Sequence, residues 1–254
     1  MSRFYLTLPS NSSMDYYADN TVARYTTKLT NTVELEGEWE VGLTEISFPS
    51  EVENVIGGHC YYDVYYDDDL LRTITMPAKH YKRMRRLIDD LHKQQRLQVP
   101  LADHEPFLAQ FVYEEGRISM NLHTRFGVQF SPELAHLLGF EPDVKYRRNI
   151  VVAKQLPNMI GHVHSAYVYC DLLEHVTVGD TKAPLLRIVD RPSQKRGNIH
   201  RVLNPILYVP LQKKCFDTVE INIMTDTGVP VPFLFGKSFV VLEFRRTVHP
   251  YFGI

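Results

Sequence analysis

Apolar and polar residues alternate with a period of two in many short segments of this 254-residue chain. This pattern restricts the chain to folds built on half-buried strands. In the clearest segment, Val219–Ile223, every second side chain is apolar. Turns containing glycine separate such segments, at Gly37, Gly116, Gly179 and Gly228. Many short strands between such turns indicate an antiparallel β sandwich or barrel.

The strands that this pattern predicts are spread over the whole chain. They are Phe4–Leu8, Ala23–Leu29, Trp39–Phe48, Tyr61–Tyr66, Phe107–Glu114, Arg117–Leu122, Gly127–Phe130, Ser165–Leu172, Leu185–Val189, Ile206–Pro210, Val219–Met224 and Phe239–Phe244. The stretch Arg187–Arg201 is basic and rich in turn residues, and it is predicted to be a surface loop.

The segment Trp39–Phe48, WEVGLTEISF, changes phase halfway along. Its apolar residues occupy odd positions in the first half and even positions in the second half. One extra residue turns the side chains beyond it to the other face, which is the effect of a β-bulge. We therefore predict an irregular ladder at Thr44–Glu45, with Gly42 easing the bend and with Trp39, Leu43 and Ile46 all buried.

Two helices are predicted in the middle third of the chain. Tyr81, Met84, Ile88 and Leu91 fall on one face of a helix from about Tyr81 to Arg96. In a second, short helix Ser131 fits the N-cap, Pro132 the first helical position and Gly139 the C-terminal stop. We interpret about 75–155 as a small α/β insertion in an otherwise all-β chain.

Composition narrows the class of protein. Hydrophobic residues make up 44% and charged residues 23% of the chain, as in an ordinary globular protein. A net charge of −2 argues against a wholesale nucleic-acid binder and leaves a local basic patch open. The three distant cysteines, Cys60, Cys170 and Cys215, indicate buried free thiols in a reducing compartment.

The start MSRFYLTLPS lacks the regions of a signal peptide. No apolar run approaches the roughly 20 residues of a membrane-spanning helix. We expect a protein that is intracellular when made, in cytoplasm or nucleus, with no membrane partner.

Two groups of residues are weak candidates for binding a metal. His162 and His164 alternate along a strand and could face one ion, but the carboxylate that a cupin-type site needs is missing nearby, so structural histidines are favoured. The run Asp67-Asp68-Asp69 could bind a hard cation but lacks the spaced ligands and glycine of an EF-hand loop, so an exposed acidic turn is favoured.

Charge is also segregated along the sequence. Residues 79–96 are strongly basic, with Lys79, Lys82, Arg83, Arg85 and Arg86 at their start, whereas residues 51–69 are acidic and end in Asp67, Asp68 and Asp69. The two patches could meet within one subunit, meet between subunits or remain solvated, and the basic helix could bind phosphate. These eight residues are the candidate subunit-interface or phosphate-binding residues.

Catalytic signatures are missing from the sequence. It contains no GxSxG elbow, P-loop, GxGxxG after a strand or HExxH. Cys170 lies in a segment predicted to be a buried strand, which favours an inert core thiol over a nucleophile. We therefore assign no catalytic residue and no cofactor, and predict a non-enzymatic protein.

Several segments, in order, resemble one family. They are FYLTLPSNSSMDYYADNTVARYTTKL, LEGEWEVGLTEISFP, FSPELAHLLGF, AYVYCDLLEHVTVGD with PLLRIV, and VEINIMTDTGVPVPFLFGKSFVVLEFRR. The chain resembles, over nearly its whole length, the minor capsid (penton) protein of Polinton/Maverick virus-like DNA transposons, which are related to virophages and adintoviruses.

The resemblance implies a single jelly-roll capsid domain over residues 1–254. It also implies a homopentamer that closes the five-fold vertices of an icosahedral capsid, with a double jelly-roll major capsid protein as partner. The basic segments leave weak contact with packaged DNA as a further possibility. The implied final location is the virion capsid. Two alternatives remain open: a cupin-like jelly-roll metalloenzyme using His162 and His164, and a jelly-roll binding module such as a lectin.

Overall fold

The computed structural model describes residues 2–99, 108–159, 163–191 and 197–247. The chain divides into two compact units: residues 1–52 with 163–254, here called the sandwich unit, and residues 53–162, here called the inserted unit. Every strand pairing among the described residues is antiparallel. The predicted all-β antiparallel class is confirmed.

The sandwich unit contains eleven of the labelled strands. They are β1 (Arg3–Pro9), β2 (Arg24–Glu34), β3 (Trp39–Pro49), β9 (Ser165–Cys170), β10 (Val176–Val178), β11 (Thr181–Ala183), β12 (Leu185–Asp190), β13 (Asn198–Val202) with β14 (Tyr208–Pro210), β15 (Cys215–Met224) and β16 (Phe239–Arg246). The short strands β10 and β11 form a separate hairpin.

The other strands form two sheets in a nested order. One sheet runs β1-β16-β3-β13, with β14 also paired to β3, and the other runs β12-β9-β15-β2. The first strand pairs with the last, the second with the next to last, and so on inwards: β1 with β16, β2 with β15, β3 with β13 and β14, and β9 with β12. This is the order of a hairpin folded over on itself, and in a two-sheet sandwich it defines a jelly roll. The jelly-roll prediction is confirmed.

The core of the sandwich unit follows from the period-two pattern. Val219, Ile221 and Ile223 on β15 are fully buried, and they belong to one apolar cluster with inward-facing residues of both sheets. Burying each such side chain contributes about 1.5–3 kcal/mol.

The phase change in β3 is a β-bulge, as predicted. Against β16, Leu43 pairs with Leu242 and Glu45 with Val241, so Thr44 is the extra residue. Thr44 Oγ1 donates a hydrogen bond to the Val241 carbonyl at 2.9 Å. The bulge keeps the apolar residues on both sides of it in the core: Trp39, Leu43, Ile46 and Phe48 are all buried.

Gly42 has a different role from the predicted one. A Cβ atom built there would lie 2.4 Å from Ile206 Cγ2 and 2.9 Å from the Leu207 carbonyl oxygen. The segment entering β14 therefore approaches the β3 backbone too closely for any side chain. Glycine is required at this position for close approach, whereas the bend is produced by the bulge at Thr44.

The inserted unit has its own sheet and its own core. Its elements are β4 (Tyr61–Tyr66), β5 (Asp69–Thr75), α1 (Met84–Gln98), β6 (Ala109–Glu114), β7 (Arg117–Phe130), α2 (Pro132–Leu138) and β8 (Lys145–Val152). The sheet order is β5-β4-β7-β6, with β8 also paired to β7. This unit is wider than the predicted insertion at 75–155, because β4 pairs with β7 and not with the sandwich.

Helix α1 is amphipathic, and one face of it lies in the core of the inserted unit. Met84, Leu87, Ile88 and Leu91 are buried at helical spacing, and Gln95 completes the stripe. The helix has no acidic residue in its first turn and no side-chain N-cap. Its start is three residues later than predicted, since Arg83 is still in extended backbone.

Helix α2 has the caps that the sequence predicted. Ser131 Oγ accepts a hydrogen bond from Leu134 N at 3.3 Å, Pro132 begins the helix and Gly139 ends it at φ +84°. Ser131 Oγ also accepts a hydrogen bond from Tyr61 N at 3.2 Å, so the cap also ties the helix to β4.

Sequence reasoning missed strands whose side chains do not alternate in burial. Strand β5 begins with five consecutive exposed residues, so its sequence has no alternation of apolar and polar residues that would identify it as a strand. The predicted surface loop at 187–201 is wrong in part, because its two ends belong to β12 and β13 and Ile199 is fully buried. Residues 192–196 of that stretch lie outside the described residues.

Candidate functional site

The predicted basic residues lie on and just before α1, on the side of the helix that faces away from its core. Lys82, Arg83, Arg85 and Arg86 are exposed, and farther along the helix Lys93 and Arg96 are exposed too. These six residues are here called the cationic face. Residues 86, 93 and 96 follow the helical repeat that keeps side chains on one side of a helix.

Lys79 has a different environment from the cationic face. Its Nζ lies 2.7 Å from Asp90 Oδ2, and the same carboxylate oxygen accepts a hydrogen bond from the Tyr81 hydroxyl at 2.7 Å. Burial, followed by the nearby Asp90, raises the pKa of Tyr81. Burial acts to raise the pKa of Asp90, but the hydrogen bonds from Lys79 and Tyr81 outweigh it and lower that pKa.

The acidic run forms the tight turn between β4 and β5. Asp67 and Asp68 are the two turn residues and have φ of +44° and +79°. Positive φ at both positions is the geometry of a type I′ hairpin turn, in which aspartate is well tolerated. Asp69 is exposed at the start of β5. The favoured interpretation of this run as an exposed acidic turn agrees with the geometry.

Basic residues of the inserted unit's own sheet neutralise this turn. Arg125 Nε donates to Asp67 Oδ2 at 3.1 Å. Arg147 Nη1 donates to Asp68 Oδ2 at 2.8 Å, and Lys145 Nζ donates to the Asp68 carbonyl at 3.1 Å. The structure therefore pairs Asp67 and Asp68 with β7 and β8, and does not bring them to the cationic face. Arg125, Lys145 and Arg147 are partners that sequence reasoning missed, because only the strand pairing brings them beside the turn.

The candidate metal histidines are described only in part. His162 lies outside the described residues, and His164 is exposed, with its backbone carbonyl accepting a hydrogen bond from Arg191 N at 2.9 Å. No group of three or more His, Cys, Asp or Glu side chains that could hold a metal ion occurs among the residues that the structure describes.

The cysteines differ in environment. Cys170 is fully buried, and burial raises the pKa of its thiol to about 12. Burial likewise raises the pKa of Cys60 to about 11. Cys215, in contrast, is exposed, so the prediction of three buried thiols is wrong for this residue. The difference arises because Cys215 is the first residue of β15, at the end of the sheet.

An open groove of about 850 Å³ lies at one end of the sandwich unit. Its apolar wall is formed by Phe4, Val33, Leu35 and Trp39, and Arg246 lies at its rim over Gly37. No sequence pattern predicted this groove, because the segments that line it are distant in the chain and meet only when the two sheets form.

A charged network crosses the outer face of the sheet that contains β1. Arg3 Nε lies 2.8 Å from Glu243 Oε1, and Arg245 Nε donates to Glu40 Oε1 at 2.5 Å. Glu243 is only 3% exposed, and burying a carboxylate is costly unless a partner such as Arg3 lies close to it. The Arg245 guanidinium also stacks on the Tyr208 ring, 3.4 Å from its centroid. These residues contribute to holding β1, β16, β3 and β14 together.

Comparison with solved structures shows a likeness to a viral capsid protein. The chain is similar to the mavirus penton protein, whose crystal structure it matches at 9% sequence identity and a TM-score of 0.49, with 97% of this chain and 100% of that chain covered. No protein-family model and no curated protein matches the sequence. Among the described residues, no helix is long and apolar enough to cross a membrane.

Proposed function

We propose that this chain is a structural capsid protein of the penton type, which forms a homopentamer and closes the five-fold vertices of an icosahedral shell. In this proposal the sandwich unit and the inserted unit act together as one capsid domain. The partners are further copies of the chain and a double jelly-roll major capsid protein, and the site of action is the virion.

The observation that carries the proposal is the nested strand order of the sandwich unit. Jelly rolls occur in viral capsid proteins, lectins and cupins, so the fold alone admits several functions. The ordered sequence resemblance to Polinton/Maverick pentons favours the capsid class among them. The structural similarity to the mavirus penton protein is consistent with the capsid class.

The surface of the sandwich unit offers two different sides for assembly. A closed ring needs a heterologous interface, in which two different patches of each subunit meet. Tyr5 on β1 is 53% exposed and Val202 on β13 is 69% exposed, and these strands are the opposite ends of one sheet. Exposed apolar residues on edge strands are suited to burial against a neighbouring copy.

The test is the mass of the purified chain in solution, by light scattering, together with electron microscopy of particles from co-expression with the major capsid protein. A pentamer, or this chain at the particle vertices, is the expected result. A chain that remains monomeric at high concentration and is missing from the vertices would refute the proposal.

Single substitutions locate the interface. Tyr5→Glu and Val202→Glu should each weaken assembly, because a charge buried without a partner opposes association. Thr181→Glu, in the exposed β10–β11 hairpin, is the matched control and should assemble like the wild type. Loss of assembly in the control alone, or in none of the three, would exclude these edges as the interface.

A further inference from the structure

The cationic face of α1 has basic residues that the fold does not use. Arg83, Arg85, Arg86 and Lys93 form no ion pair with the residues that the structure describes. They are exposed, and the buried stripe of α1 is on the other side of the helix. Their removal should therefore leave the core of the inserted unit intact.

Three carboxylates of the inserted unit that are close to this face in the sequence are already paired. Asp90 is held by Lys79 and Tyr81, and the acidic turn is held by Arg125, Lys145 and Arg147. Asp89 is the acidic residue of α1 that remains exposed. The acidic run is thus a poor partner for this face, whether in the same chain or in a second copy.

We propose that the cationic face binds the phosphate backbone of double-stranded DNA without reading its sequence. From Arg83 to Arg96 the helix extends over about 20 Å at 1.5 Å per residue. DNA carries one negative charge per roughly 1.7 Å of its axis, so several phosphates lie within reach along this length. Four of the six residues are arginines, whose planar guanidinium groups bind phosphate oxygens in pairs.

This inference goes beyond the proposed function and does not depend on it, because the surface belongs to a single chain. If the chain is a vertex protein, the DNA is the packaged genome. If assembly fails, binding can still be measured on the monomer. The two ideas therefore have separate experimental outcomes.

The experiment measures fluorescence anisotropy of a labelled 30-base-pair duplex of arbitrary sequence, titrated with the full chain at several salt concentrations. Neutralising four to five phosphates predicts a slope of log K against log salt of about −4, from about −0.9 per phosphate. Binding should be measurable at 50 mM salt and should weaken steeply above it.

The test variant is Arg83→Gln/Arg85→Gln/Arg86→Gln, which removes three charges without introducing repulsion. We expect its affinity at low salt to fall more than tenfold and its salt slope to become shallower by about 2 to 3. The matched control is Lys154→Gln/Lys213→Gln/Lys214→Gln, which removes the same charge from lysines that are paired with Glu141, Asp171 and Glu38. It should bind within about twofold of the wild type, and circular dichroism should show both variants folded.

Three outcomes would overturn the proposal. The wild type could fail to bind the duplex at 50 mM salt. The test and control variants could lose the same affinity, which would mean that net charge alone drives binding. Finally, polyglutamate of matched charge could compete as well as unlabelled duplex, which would assign the surface to an acidic protein and not to phosphate.

Discussion

Replacing Gly42 by alanine should destabilise the sandwich unit, although alanine is normally the better residue in a strand. The new Cβ would lie 2.4 Å from Ile206 Cγ2 and 2.9 Å from the Leu207 carbonyl, and contacts this short force the β14 segment away from β3. Overpacking of this kind costs about 1–3 kcal/mol. Exchanging glycine for alanine returns about 0.5–1 kcal/mol, because glycine is the more flexible residue in the unfolded chain.

A contact of 2.4 Å is severe, so the overpacking cost here is in the upper part of that range, about 2–3 kcal/mol. The net loss is therefore about 1–2.5 kcal/mol, which lowers Tm by about 2–10 °C in a chain of this size. Thermal and urea unfolding, followed by circular dichroism, would measure it. The double variant Gly42→Ala/Ile206→Ala should lose at least about 0.5 kcal/mol less than the sum of its single variants, because the methyl group in closest contact is gone.

A Gly42→Ala protein as stable as the wild type would refute this reasoning. It would mean that glycine only eases a bend, as the sequence first indicated, and that the segment entering β14 can move away at little cost.

Three further predictions concern the inserted unit and the cysteines. Ser131→Ala should lower the free energy of unfolding by about 1–2 kcal/mol, because one hydroxyl caps α2 and also accepts a hydrogen bond from the Tyr61 amide. Urea unfolding measures this loss, and a loss below about 0.3 kcal/mol would contradict the prediction. Burial, and secondarily the charge of Arg96, lower the pKa of His92 below 6.5, and His92 Nε2 accepts a hydrogen bond from Phe111 N at 2.9 Å. The unfolded chain then binds more protons in mild acid, so stability should fall as the pH drops through 6.5, and His92→Gln should show a smaller fall in Tm between pH 7.5 and 5.5. An equal fall in both proteins would exclude His92 as the cause. Mass spectrometry after brief treatment with a maleimide at neutral pH should find Cys215 modified before the other two cysteines; labelling of a buried thiol at the same rate would show that the core opens.

Much of the fold could be predicted because its signals are local. Alternation identified β3, β4 and β15, and the caps of α2 were predicted correctly at Ser131 and Gly139. The bulge in β3 was predicted from the phase change alone, because a period of two leaves no other way to keep both halves buried. Edge strand β5 escaped prediction, since consecutive residues on both of its faces are exposed and such a strand need not alternate.

The candidate site was less predictable, because charge pairing depends on which strands become neighbours. The sequence showed a basic segment and an acidic segment close together in the chain and suggested that they could meet. The structure pairs Asp67 and Asp68 with β7 and β8, more than 50 residues away along the chain, as the separation of 58 between Asp67 and Arg125 illustrates. Only this pairing shows that Asp67 and Asp68 bind Arg125, Lys145 and Arg147.

The division between the two sources of information has a physical basis. Hydrophobic periodicity and turn chemistry act over a few residues, so the sequence determines the antiparallel β class, the helix caps and the bulge at Thr44. Close approach and ion pairing act across space between segments that are distant in the chain. The requirement for Gly42 and the neutralised acidic turn therefore become visible only when the strands are in register.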